Sequence, residues 1–433
     1  MNAIPVRIPA AGSVVVERRS LWHRRVVDPA DLAGVLVCAV PLLLGFFLAT
    51  GVREAEMAIY AICTIAVLPH LAPFVASMRR NPVNTALCAV FVVLSVATLA
   101  ASQQPGANVV PHAKALAATA VWTSIYIIAF STMESGTSVL RFTKWIRIAS
   151  VATSASVYLC AILHFGGVRF GEFLEFRDGS FRAFGPLGDQ VSFVIVLPAL
   201  IALAESRPVA FGIHFGALLL TATRGALLAL VAGVVVYLFV LVSRKAPARG
   251  ALWGIGSIAV AGLIAISPAA SNITDRIAMS TTDESYSLRW TAIMSGLSVV
   301  AEHPLLGVGF NGFADRRRAI AEDWLATPAS ENGLSRAANQ YVQTATDGGL
   351  LAGLALVLFV GLTLRNAWRA IGWRNANPEF IGAQLWLIAV LIGNQGALWL
   401  LSDTASGFFI LAAAAAAAKA AALARSRHDA VRA

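Results

Sequence analysis

Charge is scarce in this sequence. Lys, Arg, Asp and Glu make up 13% of 433 residues, hydrophobic residues make up 58%, and the mean hydropathy is +0.73. That balance excludes an ordinary soluble domain. Cysteine is nearly absent, and all four residues, Cys38, Cys63, Cys88 and Cys160, fall inside apolar stretches. This excludes a disulfide framework and leaves packing thiols. Seven histidines are present, three of them (His70, His164 and His214) within apolar stretches, where packing and hydrogen bonding inside a bundle is the expected role. With no metal-ligand spacing among them and no Asp-x-Asp pair, neither a metal nor a cofactor is expected. A pI near 10 invites a nucleic-acid reading, but no basic cluster is interleaved with base-stacking aromatics, so nucleic acid is not an expected partner.

What the chain has in abundance is long apolar runs. Twelve of them cover 32–51, 56–77, 83–101, 113–131, 146–165, 190–204, 208–221, 224–242, 251–268, 345–365, 379–401 and 405–424. A bilayer core about 30 Å thick needs roughly 20 apolar residues of helix. The runs therefore predict an all-α, polytopic integral membrane protein with about 12 transmembrane helices. With the N-terminus inside, 21 Lys and Arg fall on the inner side and 12 on the outer, against 7 and 16 acidic residues. The positive-inside rule places both termini in the cytoplasm. The first 30 residues are polar and basic, without a short apolar core ending in a cleavage site, so no removable leader is expected. The predicted organisation is a cytoplasmic segment 1–31, nine spans over 32–268, a large outer loop 269–344, three spans over 345–424 and a tail 425–433.

Function gathers at the outer face. Only 166–189 and 269–344 are long there, and long loops in a compact protein are usually functional. In the second, Trp290, Ile293, Met294, Leu297 and Ala301 recur at helical spacing and Pro304 ends the run, predicting an amphipathic helix that lies on the membrane or caps the bundle. Alternation of the spans puts Arg182, Arg224 and Arg289 on this side. Each could snorkel or pair with a carboxylate; Arg182 has Asp178 and Asp189 close by. Guanidinium forks also match phosphate oxygens, so converging arginines predict a phosphate or diphosphate held at headgroup depth. Gly307, Gly309 and Gly312 match G-x-G-x-x-G without a preceding strand and are not read as a dinucleotide site. Gly349 and Gly353 form a G-x-x-x-G, read as a close helix contact or, less simply, a substrate groove.

The stretch SLRWTAIMSGLSVVAEHPLLGVGFNGF, preceded by TATRGALLAL and followed by NQYVQTATDGGLLAG, resembles the bacterial O-antigen ligase and polymerase superfamily over residues 180–365. The resemblance implies a GT-C-like membrane glycosyltransferase of the cell inner membrane. It would work at the periplasmic face, without a metal, on an undecaprenyl diphosphate-linked O-antigen donor and a lipid A core acceptor. It also implies that Arg224 and Arg289, and with a looser match Arg182, hold the diphosphate. His303, Asn339 and Gly349 match supporting positions of the motif, and Ala352 stands where the last glycine is expected. Ala338 stands where the family has its general-base histidine. Either another group, Asp347 or His303, serves as base, or this chain is inactive; the second is favoured because the surrounding motif is kept. O-antigen polymerase and protein O-glycosyltransferase are alternatives within the superfamily. A lipid-linked sugar transporter is the alternative outside it, although the two halves show no clear repeat.

Overall fold

The computed structural model describes residues 28–50, 53–103, 109–167, 174–177, 180–183, 185, 191–221, 223–243, 252, 256, 284–310, 312–313, 337, 339–373, 375–393 and 405–432. Apart from one hairpin, their regular structure is helical. The helices are α1 (Pro29–Thr50), α2 (Arg53–Met78), α3 (Pro82–Ser102), α4 (Val109–Thr132), α5 (Gly136–Phe165), α6 (Val191–Ala204), α7 (Pro208–Leu220), α8 (Arg224–Ser243), α9 (Glu284–Glu302), α10 (Gln340–Ile371), α11 (Pro378–Gly393) and α12 (Ala405–Arg432). Antiparallel strands β1 (Leu174–Arg177) and β2 (Ser180–Ala183) pair Glu175 with Arg182 and Phe176 with Phe181. Eleven of the twelve predicted spans coincide with helices in their described parts; the remaining one, 251–268, lies outside the described residues but for 252 and 256. The twelfth helix, α9, is the predicted amphipathic one.

Local sequence explains where several helices begin. Proline opens α1, α3, α7 and α11, where its missing N–H costs nothing. Asp28 and Asn377 accept from Ala30 N–H (2.9 Å) and Phe380 N–H (2.8 Å) at two of these starts. A reciprocal box of Ser135 and Ser138 opens α5.

Six helical segments are long and apolar enough to cross a bilayer: Ala58–Met78, Pro82–Ser102, Gly136–Phe165, Arg224–Ser243, Gln340–Ile371 and Gly407–Ser426. The protein is a polytopic membrane protein. Its lipid-facing rows are legible on the surface: on α8, Leu228, Val231, Val235, Phe239 and Val242 point outward at helical spacing. By contrast α6 is buried from Val191 to Leu203, enclosed by α5, α7, α8, α11 and α12. Alanines 412 to 418 of α12 are at most 1% exposed; so slim a helix lets α4, α5 and α10 pack closely around it. The thiols of Cys63, Cys88 and Cys160 are free, and His214 bonds Ser154 inside the bundle at 3.1 Å, as packing roles require.

One end of the bundle is locked by charge. Arg147 on α5 reaches Glu205 after α6 at 2.7 Å and Glu379 on α11 at 3.9 Å, Arg207 reaches Glu205 at 3.3 Å, and Arg141 reaches Asp28 at 2.7 Å. Trp145 donates to Asp31 at 3.0 Å. The starts of α1, α5, α7 and α11 and the end of α6 are thus tied together at one end. All belong to segments read from the sequence as inner.

Candidate functional site

The far end of the bundle carries the candidate site. Helix α11 starts at the charged end and follows α10 after a short turn, so α10 starts at the far end. Helix α8 follows α7 after three residues and starts there for the same reason. The β1–β2 hairpin comes after the far end of α5. Arg224, the first residue of α8, is half-buried; Arg182, on β2, is half-buried; Arg289, on α9, is exposed. Arg224 and the hairpin that carries Arg182 thus lie at this end, and α9, which carries Arg289, packs against the first turns of α10 there. Side-chain contacts unite a different set, built on α9 and α10.

Helix α10 begins early. Asn339 caps it, accepting from Tyr341 N–H at 3.0 Å and Val342 N–H at 3.2 Å, and the first two turns carry polar residues the membrane-span reading assigned to the loop. The helix breaks at Gly349, with φ 72° and ψ −176°. A break frees backbone groups that need partners. The turn after α9 supplies them: Val308 N–H donates to Thr346 O at 2.9 Å, Gly309 N–H to Asp347 O at 2.9 Å, and Leu350 N–H to Pro304 O at 2.7 Å. Gly307 and Gly309 also have positive φ, 61° and 82°. A side chain at Gly349 would strike the Leu305 carbonyl, and one at Gly307 the Thr346 carbonyl. The G-x-G-x-x-G run is thus a docking turn, and the helix-contact reading of Gly349 and Gly353 is corrected. Gly349 meets a loop backbone and Gly353 meets Ala345 of its own helix, whereas the glycine next to α3 is Gly348, beside Leu94.

Buried side chains extend the joint. Gln343 accepts from Ala337 N–H at 2.6 Å through Oε1 and donates through Nε2 to Asp347 Oδ1 at 2.9 Å. Asp347 is 1% exposed, so its carboxylate serves this relay instead of facing an acceptor sugar, and the reading of Asp347 as a substitute base loses its footing. Thr346 Oγ1 donates to Gly296 O on α9 at 3.3 Å, and Phe310 N–H donates to Thr98 on α3 at 3.1 Å. His303 is half-buried where α9 passes into the turn, its N–H bonded to Val299 O at 2.9 Å. Ala338 lies outside the described residues, between Ala337 and Asn339, which are both tied to α10.

The sequence reading did not single out Gln343. Its i, i+4 spacing to Asp347 was a visible signal, but the bond to Ala337 spans the helix start and needs the fold.

Residues 209–358 match the family model described as O-antigen ligase. The resemblance to the O-antigen ligase family holds over that stretch, which takes in α7, α8, α9 and the kinked half of α10. Arg224, Arg289, His303, Asn339 and Gly349 lie within it, as does position 338; Arg182 lies before it. A comparison with curated proteins finds no match.

Proposed function

We propose that this protein has the architecture of an O-antigen ligase: a GT-C-like inner-membrane glycosyltransferase built to move O-antigen from undecaprenyl diphosphate to a sugar of the lipid A core at the periplasmic face. The observation that carries the reading is the α9–α10 joint. Within the family-matched stretch, two tethers, Gln343 to Ala337 and the Asn339 cap, fix the backbone on both sides of position 338, at the bundle end that also carries Arg224. A site needing an accurately placed base beside a diphosphate calls for such rigidity.

In the reaction, the acceptor hydroxyl gives its proton to a base at 338 while its oxygen bonds to the anomeric carbon. The bond from that carbon to the diphosphate oxygen breaks, and undecaprenyl diphosphate leaves with the electron pair. A single displacement inverts the anomeric configuration. Arg224 and Arg289, with Arg182 as a third candidate, offset the charge growing on the leaving group. The methyl of Ala338 cannot accept a proton, so this chain is expected to bind donor and transfer glycan poorly.

The test is Ala338→His in purified protein, supplied with labelled donor and lipid A core. A positioned base contributes about 10²- to 10⁴-fold, so ligated product should rise by that order while donor binding holds. In the same assay Arg224→Ala and Arg289→Ala should weaken undecaprenyl diphosphate binding more than Arg316→Ala, a control in the basic run Arg316–Arg318 of the large loop sequence. Equal transfer by the Ala338→His variant and the unsubstituted chain would put the base elsewhere.

A further inference from the structure

Helix α9 is apolar on the side that faces away from the protein. Trp290, Met294 and Leu297 recur at helical spacing and are 56%, 49% and 47% exposed. The opposite side does the packing: Ala292 and Val299 are fully buried, and Gly296 sits against Val342, Ala337 and Thr346. The predicted stripe therefore does not cap the bundle. Thr291, Ser295, Ser298 and Glu302 form a polar flank along the same helix.

The outward stripe does not end with the helix. The turn that follows exposes Leu305 by 69%, and the turn is stitched to α10 where Leu350 bonds Pro304 at 2.7 Å. From Leu350, 49% exposed, the outward row continues to Leu354, 66% exposed, on a helix long and apolar enough to span a bilayer. One apolar surface thus runs from a lipid-facing row of a membrane span, across the turn, onto α9.

We infer that the outer face of α9 is a membrane-docking surface whose occupant is the acyl–headgroup boundary of the bilayer. Trp290 is its interfacial anchor and the Ser295–Glu302 flank faces water. The occupant follows from continuity: a surface that leaves the bilayer on Leu354 and stays apolar through Leu350, Leu305 and Leu297 has lipid beside it throughout. An amphipathic helix with a tryptophan and one polar flank settles at that depth. Docking fixes Arg289, one residue before Trp290, at headgroup level. It also holds the α9–α10 joint against the surface from which a lipid-borne substrate would be taken. The inference does not depend on the glycosyl-transfer reading, because membrane docking can be measured in a protein with no activity.

The experiment places a nitroxide at 294, 297, 295 or 302, one at a time, in a chain whose four cysteines are replaced by alanine. Each protein is reconstituted in phosphatidylethanolamine–phosphatidylglycerol vesicles, and collision with oxygen and with a water-soluble nickel chelate is compared. Labels at 294 and 297 should favour oxygen, as a reference label at 354 should, and labels at 295 and 302 should favour nickel. Photo-crosslinking of benzoylphenylalanine at 294 in the chain with its native cysteines gives a second reading, with phospholipid adducts expected. Nickel preference at 294 and 297, or adducts only to a second copy of the chain, overturns the inference.

Discussion

At the scale of single residues, the relay from Asp347 through Gln343 to Ala337 is the most consequential arrangement at the far end. All three groups are buried, where a donor or acceptor left without its partner costs about 1–3 kcal/mol. Gln343→Leu deprives both Ala337 N–H and Asp347 of this partner. It should lower the thermal unfolding midpoint in detergent, whereas Asp347→Asn, which keeps an oxygen to accept from Gln343, should lower it less. Placed in the Ala338→His protein, Gln343→Leu should also cut transfer without weakening donor binding, because the relay holds the base's backbone and not the diphosphate. A Gln343→Leu protein that unfolds at the same midpoint as the unsubstituted chain would show that the Gln343 contact is dispensable. Much of this was beyond a reading of the sequence. Hydropathy set the start of the tenth span at residue 345, since N-Q-Y-V-Q-T looks like loop; the fold shows Asn339 capping an earlier start, which brings Gln343 onto a helix face beside Asp347.

At the scale of elements, α9 and α10 show which patterns survive folding and which invert. The apolar period of α9 was legible, and so was its end near Pro304. The buried face was not, because the helix packs through Ala292, Gly296 and Val299 while its largest apolar side chains point away from the protein. Small residues at helix contacts and large ones toward lipid are usual in membranes, where burial in protein has no advantage over burial in hydrocarbon. The kink of α10 was illegible for a related reason: glycine spacing suits a helix crossing as well as a break, and the decision rests with the Leu305 carbonyl arriving from another segment. Gly349→Ala therefore meets two penalties, a backbone region that glycine alone enters readily, costing roughly 1–3 kcal/mol, and a collision with a backbone that cannot yield alone. Gly361 on the same helix has no neighbour within 4 Å of an added Cβ, so Gly361→Ala should be neutral or raise stability by up to about 1 kcal/mol. Thermal unfolding of the two variants side by side is the measurement. A Gly349→Ala protein as stable as Gly361→Ala would mean that the turn and helix are not stitched together.

At the scale of the whole molecule, the two ends have opposite characters, and the chain must connect them consistently. The charged end collects Asp28, Arg141, Arg147, Glu205, Arg207 and Glu379, all from segments that charge counting placed inside. The side chains of Glu205 and Glu379 are each only 13% exposed, so Arg147 offsets two sheltered carboxylates while joining α5, α6 and α11. Helix α8 starts at the far end and, at 20 residues, rises about 30 Å, so it finishes near the charged end. Helix α10 then begins at the far end again. The end of α8 and the start of α10 thus call for a crossing in the sequence between them, and α9, whose buried face packs on the first turns of α10, is not the segment expected to make it. The apolar stretch 251–268, expected from the sequence to be a span, would supply that crossing, and the expectation then puts residue 246 on the inner side and the loop before α10 on the outer side. In intact cells, a cysteine introduced between 325 and 335 should react with a membrane-impermeant maleimide, and one at 246 should react only after the membrane is opened. Labelling of both from outside would remove the crossing, and labelling of 246 alone would invert the protein and take the proposed donor face with it.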